Sequence, residues 1–492
     1  MHWLGIDIGT SAVKAVLLDE REQAVAADER PVATARPRPG WSEQEPEAWW
    51  QVVVSVMDGL AAQAPGALAD VRAIGLSGQM HGVVLLGADD KPLRPAILWN
   101  DARAAAEAEA LGRDHPELAR VVGVIPMAGF TAPKLPWLRA HEPAIFRAIR
   151  TVMLPKDYVR LRLTGERFSE MSDAAGTWWL DEARRRWCEP ALAACGLGPE
   201  QVPPLLEGSD NAGLLRPDLA RRWGMRADVV VAAGAGDAAA GAVGAGAVHD
   251  GDAFVSLGTS AQLFVTTAEY RPAPDTLVHA FAHALPGLWY QMGAMLNGAS
   301  ALGFAAGLLG RDIDALVAEA GAIPPGSSSL LALPYLTGER TPHNDPAARG
   351  VIFGLTPATT PAEVALAVME GVAFSIRDAQ EALAASGTKV ARAGFSGGGA
   401  RSLLWTRILA SVLGAPLVRA RGAVAGPALG AARLARLALT HEAPSDVCGA
   451  PDMLDETPPD PALQDLYASR YERFRRLYAA LKPEFARAAQ GH

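Results

Sequence analysis

Cysteine is almost absent from this chain: Cys188, Cys195 and Cys448 are the only three among 492 residues. They lack metal-ligand spacing and are too few for a disulfide framework, so they fit a reducing compartment. Lysine is scarce as well, with six residues in a Lys+Arg total of 45, a bias we read as genomic. The net charge of −9, with no basic run carrying interleaved aromatics, argues against nucleic acid as a partner. No apolar stretch is long enough to span a bilayer without interruption; the best candidate, GAGDAAAGAVGAGAV (234–248), carries Asp237 and many glycines. The first strand begins within four residues, so no signal peptide is expected, and neither is a membrane partner. These features describe a cytoplasmic globular protein, half of whose residues are hydrophobic and a fifth charged. At this length two domains are the default.

What the chain does have is a repeat. Gly-Thr-Ser-Ala occurs at Gly9–Ala12 and again at Gly258–Ala261, half a chain apart. Each copy lies between apolar runs, LGID and VKAVLLD around the first, AFVSL and QLFVTT around the second, which predicts two β-hairpins. A duplicated domain would then offer the same loop twice. Gly permits close backbone approach, successive free amides form an anion cradle, and Thr and Ser add hydroxyl donors. Two such loops facing each other suit a polyphosphate.

Around the first hairpin the pattern predicts three strands over 3–32 and a Ser-capped helix over 42–64. A buried strand follows at 71–78, and a hairpin over 82–99 turns at Asp89–Asp90. A helical region spans 101–150, and VVVAAGAGDAAAGAVGAGAV (229–248) reads as strand, glycine turn and small-residue helix. The second half adds helical stretches at 294–320 and 361–386 and a strand, turn and helix over 391–414. A Pro- and Asp-rich surface loop is expected at 442–463, before a closing amphipathic helix. The boundary between halves falls near 247–252, giving domains 1–247 and 248–492 of α/β class.

Several polar groups stand at strand ends. Asp7 precedes the first loop, where a carboxylate is placed to hold Mg²⁺ directly or through water, and Lys14 on the return strand is within reach of a phosphate. Asp237 follows a Gly-x-Gly turn. A dinucleotide would meet like charge there, so the reading is a carboxylate delivered into an interdomain cleft to take a hydroxyl proton. SGGGARS (396–402) is a third glycine turn, wide enough for a flat aromatic ring beside a helix start. QMHG (79–82) brings His81 close to Trp99, Asn100 and Asp101, a cluster suited to a polyol.

With these pieces the chain resembles the FGGY carbohydrate kinases from end to end. The motifs are GIDIGTSAVKAVLLD, GLSGQMHGVVLL, LRPAILWNDAR, GFTAPKLPWL, LPKDYVRLRLTGE, SDAAGTWWLD, GAGDAAAGAVGAG, SLGTSA, LPYLTGERTPHND and SGGGARS. QMHG, ILWNDAR and SDAAGTWWLD are more similar to the family's xylulose-phosphorylating members than to glycerol kinases. The resemblance implies two actin-like, ribonuclease-H-like domains hinged over a central cleft, with sugar held mainly by the first and ATP mainly by the second. It implies Asp237 as catalytic base, Asp7 as Mg²⁺-associated carboxylate alongside Asp237, and Thr10, Gly258 and Thr259 in the phosphate loops. It further implies Gly398 and Gly399 at adenosine, with Met80 and His81 at the sugar. A homodimer is compatible with it. One departure stands out: Ala238 follows Asp237 where these relatives usually carry Asn.

Overall fold

A computed structural model describes residues 1–420 and 426–489. The first sheet is ordered Ala24–Pro31, Ala12–Leu18, His2–Ile8, Val71–Gly78, Val230–Ala232, Asn211–Leu214, with the short strand Ala235–Gly236 also paired to Val71–Gly78. Along this path the pairings run antiparallel, antiparallel, parallel, parallel, antiparallel. The second sheet repeats that sequence of directions through Trp289–Met295, Ala261–Thr267, Ala253–Leu257, Ala393–Ser396, Leu417–Ala420 and Met453–Thr457. An extra edge strand, His279–Ala282, is added beside Trp289–Met295. The repeat inferred from two tetrapeptides is therefore a repeat of the whole sheet. Both Gly-Thr-Ser turns close antiparallel hairpins, as their flanking runs predict.

Local sequence explains the framework. On His2–Ile8, Leu4, Ile6 and Ile8 point into one core while Trp3, Gly5 and Asp7 take the opposite face, the two-residue period of a strand. The helix Pro46–Gln63 buries Trp49, Trp50, Val53, Val56, Met57 and Leu60, a helical stripe that packs in that same core. It begins with proline in its first turn, and its N-cap Glu45 makes no side-chain cap. Ser42 is not the cap expected of it: it is buried, and the strand Glu43–Gln44 separates it from the helix.

One further expectation is extended and another changes. The hairpin over 82–99 is present, with Val83 bridged to Ile97 and Leu86 to Pro92 around the turn at Asp89–Asp90, but Val84–Leu86 also pairs with Thr151–Met153, so the hairpin is part of a larger ladder. The supposed loop at 442–463 supplies Met453–Thr457, which completes the edge of the second sheet because Leu417–Ala420 offers it a free side.

The helix Pro427–Thr440 comes from the second half but lies on the first sheet. A Cβ on Gly5 would stand 1.9 Å from the Ala428 carbonyl, one on Gly75 1.7 Å from that of Ala431, and one on Gly430 1.8 Å from that of Ala240. Absent side chains let this helix approach both the sheet and the helix Asp237–Gly244. We accordingly propose the division at 247/248 for the two sheets, with Pro427–Thr440 as a cross-connection between them. Among the described residues no helix is long and apolar enough to cross a membrane.

Candidate active site

Asp7 stands in register with Lys14 on one neighbouring strand and Ser77 on the other, so all three share the face away from the aliphatic core. One of its oxygens, Oδ1, has no hydrogen-bond partner among the described residues. Burial pushes its carboxyl up to about 6, against the opposing pull of Ser77 and Lys14. Lys14 is exposed and forms no ion pair among the described residues, which leaves its ammonium free for an anion.

The first loop is held from within. The Gly9 amide donates to the Ala12 carbonyl at 3.0 Å. The Thr10 hydroxyl donates to Gln79 at 2.9 Å and accepts from Trp99 Nε1 at 2.9 Å, while its carbonyl accepts from Gln44 at 2.7 Å. The Thr10 hydroxyl therefore fixes the loop, and the donors left to it are the amides of Thr10 and Ser11 and the exposed Ser11 hydroxyl. Trp99 spends its indole N–H on the same lock, so any sugar contact is left to its ring. Asp101 is engaged in a similar way. Its carboxylate accepts from the Ser42 amide at 2.6 Å and from the Arg103 guanidinium at 2.8 and 2.7 Å, and it is fully buried. Arg103 in turn stacks over Trp41 at 3.6 Å. With Arg103 N also bonded to it, each oxygen of the Asp101 carboxylate already accepts two hydrogen bonds within the fold.

Asp237 opens the helix Asp237–Gly244, directly after the strand Ala235–Gly236. The amide of Ala238 donates to its Oδ1 at 2.8 Å. The side chain is open to solvent, yet cleft walls crowd it at longer range; this burial, with the charge of Asp7, pushes its carboxyl up to about 7. Met80 packs against the preceding residue: a Cβ on Gly236 would lie 2.7 Å from Met80 Cγ. Met80 and Asp237 are thus brought together by one glycine.

His81 adopts a left-handed backbone, with φ 68°. Its Nδ1 lies 2.6 Å from the Gly176 carbonyl, and its ring stacks on Phe130 at 4.5 Å. With Nδ1 donating to that carbonyl, Nε2 is left as an acceptor. Burial keeps the ring neutral, lowered to about 3. The strained backbone is secured by Lys134, fully buried, whose ammonium donates to the carbonyls of His81, Gly129 and Ile97 at 2.8, 2.9 and 3.1 Å. Lys134 and Phe130 escaped the sequence reading. GFTAPKLPWL contains both, but the signal, a lysine in an apolar segment, does not say which carbonyls it serves.

Beyond Asp237 a cavity of about 610 Å³ runs between the two halves, lined by Ala238, Gly241, Ser256, Gln262, Ser396 and Gly397 among others. The strands on either side of the second loop border it through Ser256 and Gln262. Gly258 N donates to the Ser260 carbonyl at 3.0 Å, and the carbonyls of Gly258 and Thr259 accept from Ala299 and Gly298, so the amides and exposed hydroxyls of Thr259 and Ser260 are the loop's spare donors. In the third glycine turn the cavity wall is Gly397 rather than Gly398 or Gly399. Gly397 has φ 90°, and a Cβ there would meet the Leu257 carbonyl at 2.5 Å. Gly399 is buried against the Leu257 side chain, and Gly398 borders open space.

The model of the FGGY family of carbohydrate kinases, N-terminal domain, matches residues 2–244, and that of its C-terminal domain residues 253–439. The chain is 47% identical over 491 residues to a xylulose kinase of Escherichia coli (strain K12), covering 98% of this chain and all of that protein. Among solved structures it is similar to a xyloylose kinase from Brucella ovis, with TM-score 0.95 and 46% identity, covering 98% of this chain and 99% of that one. It is also similar to a gluconate kinase from Lactobacillus acidophilus, with TM-score 0.93, 25% identity and 99% of each chain covered.

Proposed function

The chain belongs to the FGGY family of carbohydrate kinases, with that family's actin-like pair of domains, and we propose that it transfers the γ-phosphoryl group of ATP to D-xylulose. The products are ADP and D-xylulose 5-phosphate, a step of xylose catabolism. The observation that supports the residue roles is the turn at Gly236: Asp237 follows it on the cavity wall, and Met80, next to His81 in the chain, packs against it.

In this reading the C5 hydroxyl oxygen attacks the γ-phosphorus and forms the new P–O bond. The bond from that phosphorus to the β-bridging oxygen breaks, and ADP leaves with its electron pair. Asp237 takes the hydroxyl proton. Its raised carboxyl suits this work, since a base is most effective when its affinity for the proton lies near the working pH. Phosphoryl transfer otherwise asks for position and charge neutralisation. The spare amides of Thr10 and Ser11 from one half, and of Thr259 and Ser260 from the other, are oriented donors for phosphate oxygens. Lys14 adds positive charge on the same face as Asp7.

Mg²⁺ fits these residues. Asp7 has an oxygen unpartnered among the described residues, Asp237 is a second carboxylate near enough to repel it, and Mg²⁺ is commonly held by one or two carboxylates together with substrate phosphates and waters. The ion would be held by Asp7, with Asp237 alongside, and would supply charge neutralisation of the phosphates. His81 Nε2, neutral and held in place, accepts from a sugar hydroxyl, and a buried site of this kind rejects sugars that leave it unpaired. The free, buried cysteines support a cytoplasmic setting.

A second substrate reading rests on Ala238 and on the likeness to a gluconate kinase: another ketose or polyol in the same site. The test is ADP release across a panel of ketoses, aldonates and alditols, with Asp237→Asn run in parallel. D-xylulose should give the highest kcat/KM, and the Asn variant should lose about 10²–10⁴-fold in kcat. A different preferred sugar replaces the substrate; near-normal turnover by the Asn variant removes Asp237 as base.

A further inference from the structure

Behind the proposed base lies a cluster of charges with no access to water. Lys156, Asp157, Arg160, Glu170, Ser172 and Asp173 are all fully buried. Lys156 Nζ stands 2.6 Å from Asp157, 3.5 Å from Glu170 and 3.6 Å from Asp173. Arg160 reaches Asp157 at 2.9 Å and donates to the Ala233 carbonyl at 2.6 Å. Glu170 caps the helix Met171–Ala175 by accepting from the amides of Ser172 and Asp173 at 2.7 and 2.9 Å. The Ser172 hydroxyl donates to Glu170 at 2.8 Å and, with its proton so committed, accepts from the amide of Gly236 at 3.1 Å.

Buried ions are a poor source of stability, because desolvation offsets their attraction. What this network does possess is direction. It grips the 233–236 segment at two points, the Ala233 carbonyl and the Gly236 amide, and the next residue is Asp237.

We propose that Ser172, oriented by Glu170 and Lys156, is a positioning residue that fixes the Gly236 turn and so sets where the Asp237 carboxylate stands. The proposal rests on Asp237 being the base. Nothing in the cluster touches substrate; its effect passes through one backbone amide. Removing the Ser172 oxygen takes the side-chain acceptor from that buried amide and releases the turn to shift. Because a misplacement of about 1 Å costs on the order of 10²-fold in rate, even a partial shift is visible in kcat.

The experiment compares Ser172→Ala with Ser169→Ala. Ser169 is a second buried serine of the cluster, bonded to Asp157 at 2.8 Å but not to the turn. Steady-state kinetics on D-xylulose and ATP and thermal melting are measured for both, with Asp237→Asn alongside. Ser172→Ala should lower kcat by about tenfold or more with both KM values within about twofold. Ser169→Ala should lose stability and keep kcat. If Ser172→Ala does not fold, Ser172→Cys, of similar shape but a weak acceptor, should give the same pattern. Full kcat in the Ser172 variants, or equal kcat losses at Ser169 and Ser172, overturns the positioning role while an inactive Asp237→Asn leaves the base intact. An active Asp237→Asn overturns both.

Discussion

Gly236 is where the fold and the chemistry meet, and replacing it with alanine tests the connection directly. Its backbone, φ −60° and ψ 152°, suits any residue, so Gly236→Ala carries no conformational penalty of its own. The added methyl, however, would lie 2.7 Å from Met80 Cγ, 2.9 Å from its sulfur and 3.2 Å from its terminal carbon. All three are closer than carbon contacts at their optimum of about 3.5–4.0 Å, and Met80 is itself buried. Either the thioether is forced against Gly176 and His81, beside which its terminal carbon already packs, or the turn retreats and takes Asp237 with it. Overpacking of this kind typically costs about 1–3 kcal/mol. We expect a stability loss in that range and a kcat loss of about 10–100-fold, since both escapes disturb the site. Met80→Ala alone should cost about 2–5 kcal/mol. Combined with Gly236→Ala it should cost less than the sum of the two, by about 1–2 kcal/mol, because the methyl then has room. Denaturant unfolding of the four proteins, with ADP-release kinetics on each, closes the cycle. Strict additivity in stability would refute the contact. A Gly236→Ala enzyme with normal kcat would show that the turn does not set the base.

Asp237, raised to about 7, works as a base only when deprotonated, so kcat/KM for ATP should rise with pH through about 7 and level off above it. Asp7→Asn removes the repulsion that helps raise it and should move this limb to lower pH; a flat profile, or a limb unmoved by Asp7→Asn, would contradict the pairing. Ala238→Asn should lower the KM for D-xylulose several-fold with little change in kcat, since one neutral hydrogen bond contributes about 0.5–1.5 kcal/mol in ground and transition states alike. No change on D-xylulose, beside a wild-type preference for a rival sugar in steady-state assays, would assign Ala238 to a different substrate.

The sequence by itself determined whatever follows from local pattern. Strand alternation around Gly9–Ala12 and Gly258–Ala261 predicted both hairpins, and their repetition anticipated two sheets of equal topology. The Gly-x-Gly-Asp run marked Asp237, and QMHG marked the pair beside it, because each is written in consecutive residues. Only the tertiary structure decided what those residues have left to offer. Thr10 and Asp101 looked free as letters. Their hydrogen-bonding capacity is consumed by Gln79 and Trp99, and by Ser42 and Arg103, all distant in the chain except Arg103. Lys134 and Ser172 looked like ordinary interior residues, and they prove to hold the backbone of His81 and of Gly236. The loop assigned to 442–463 became an edge strand because an unpaired strand edge lay beside it. The physical reason is common to all of these. Periodicity and turn chemistry act between near neighbours, whereas a buried donor or acceptor must be satisfied by whatever the fold brings within hydrogen-bond reach, and that choice is made across the whole chain.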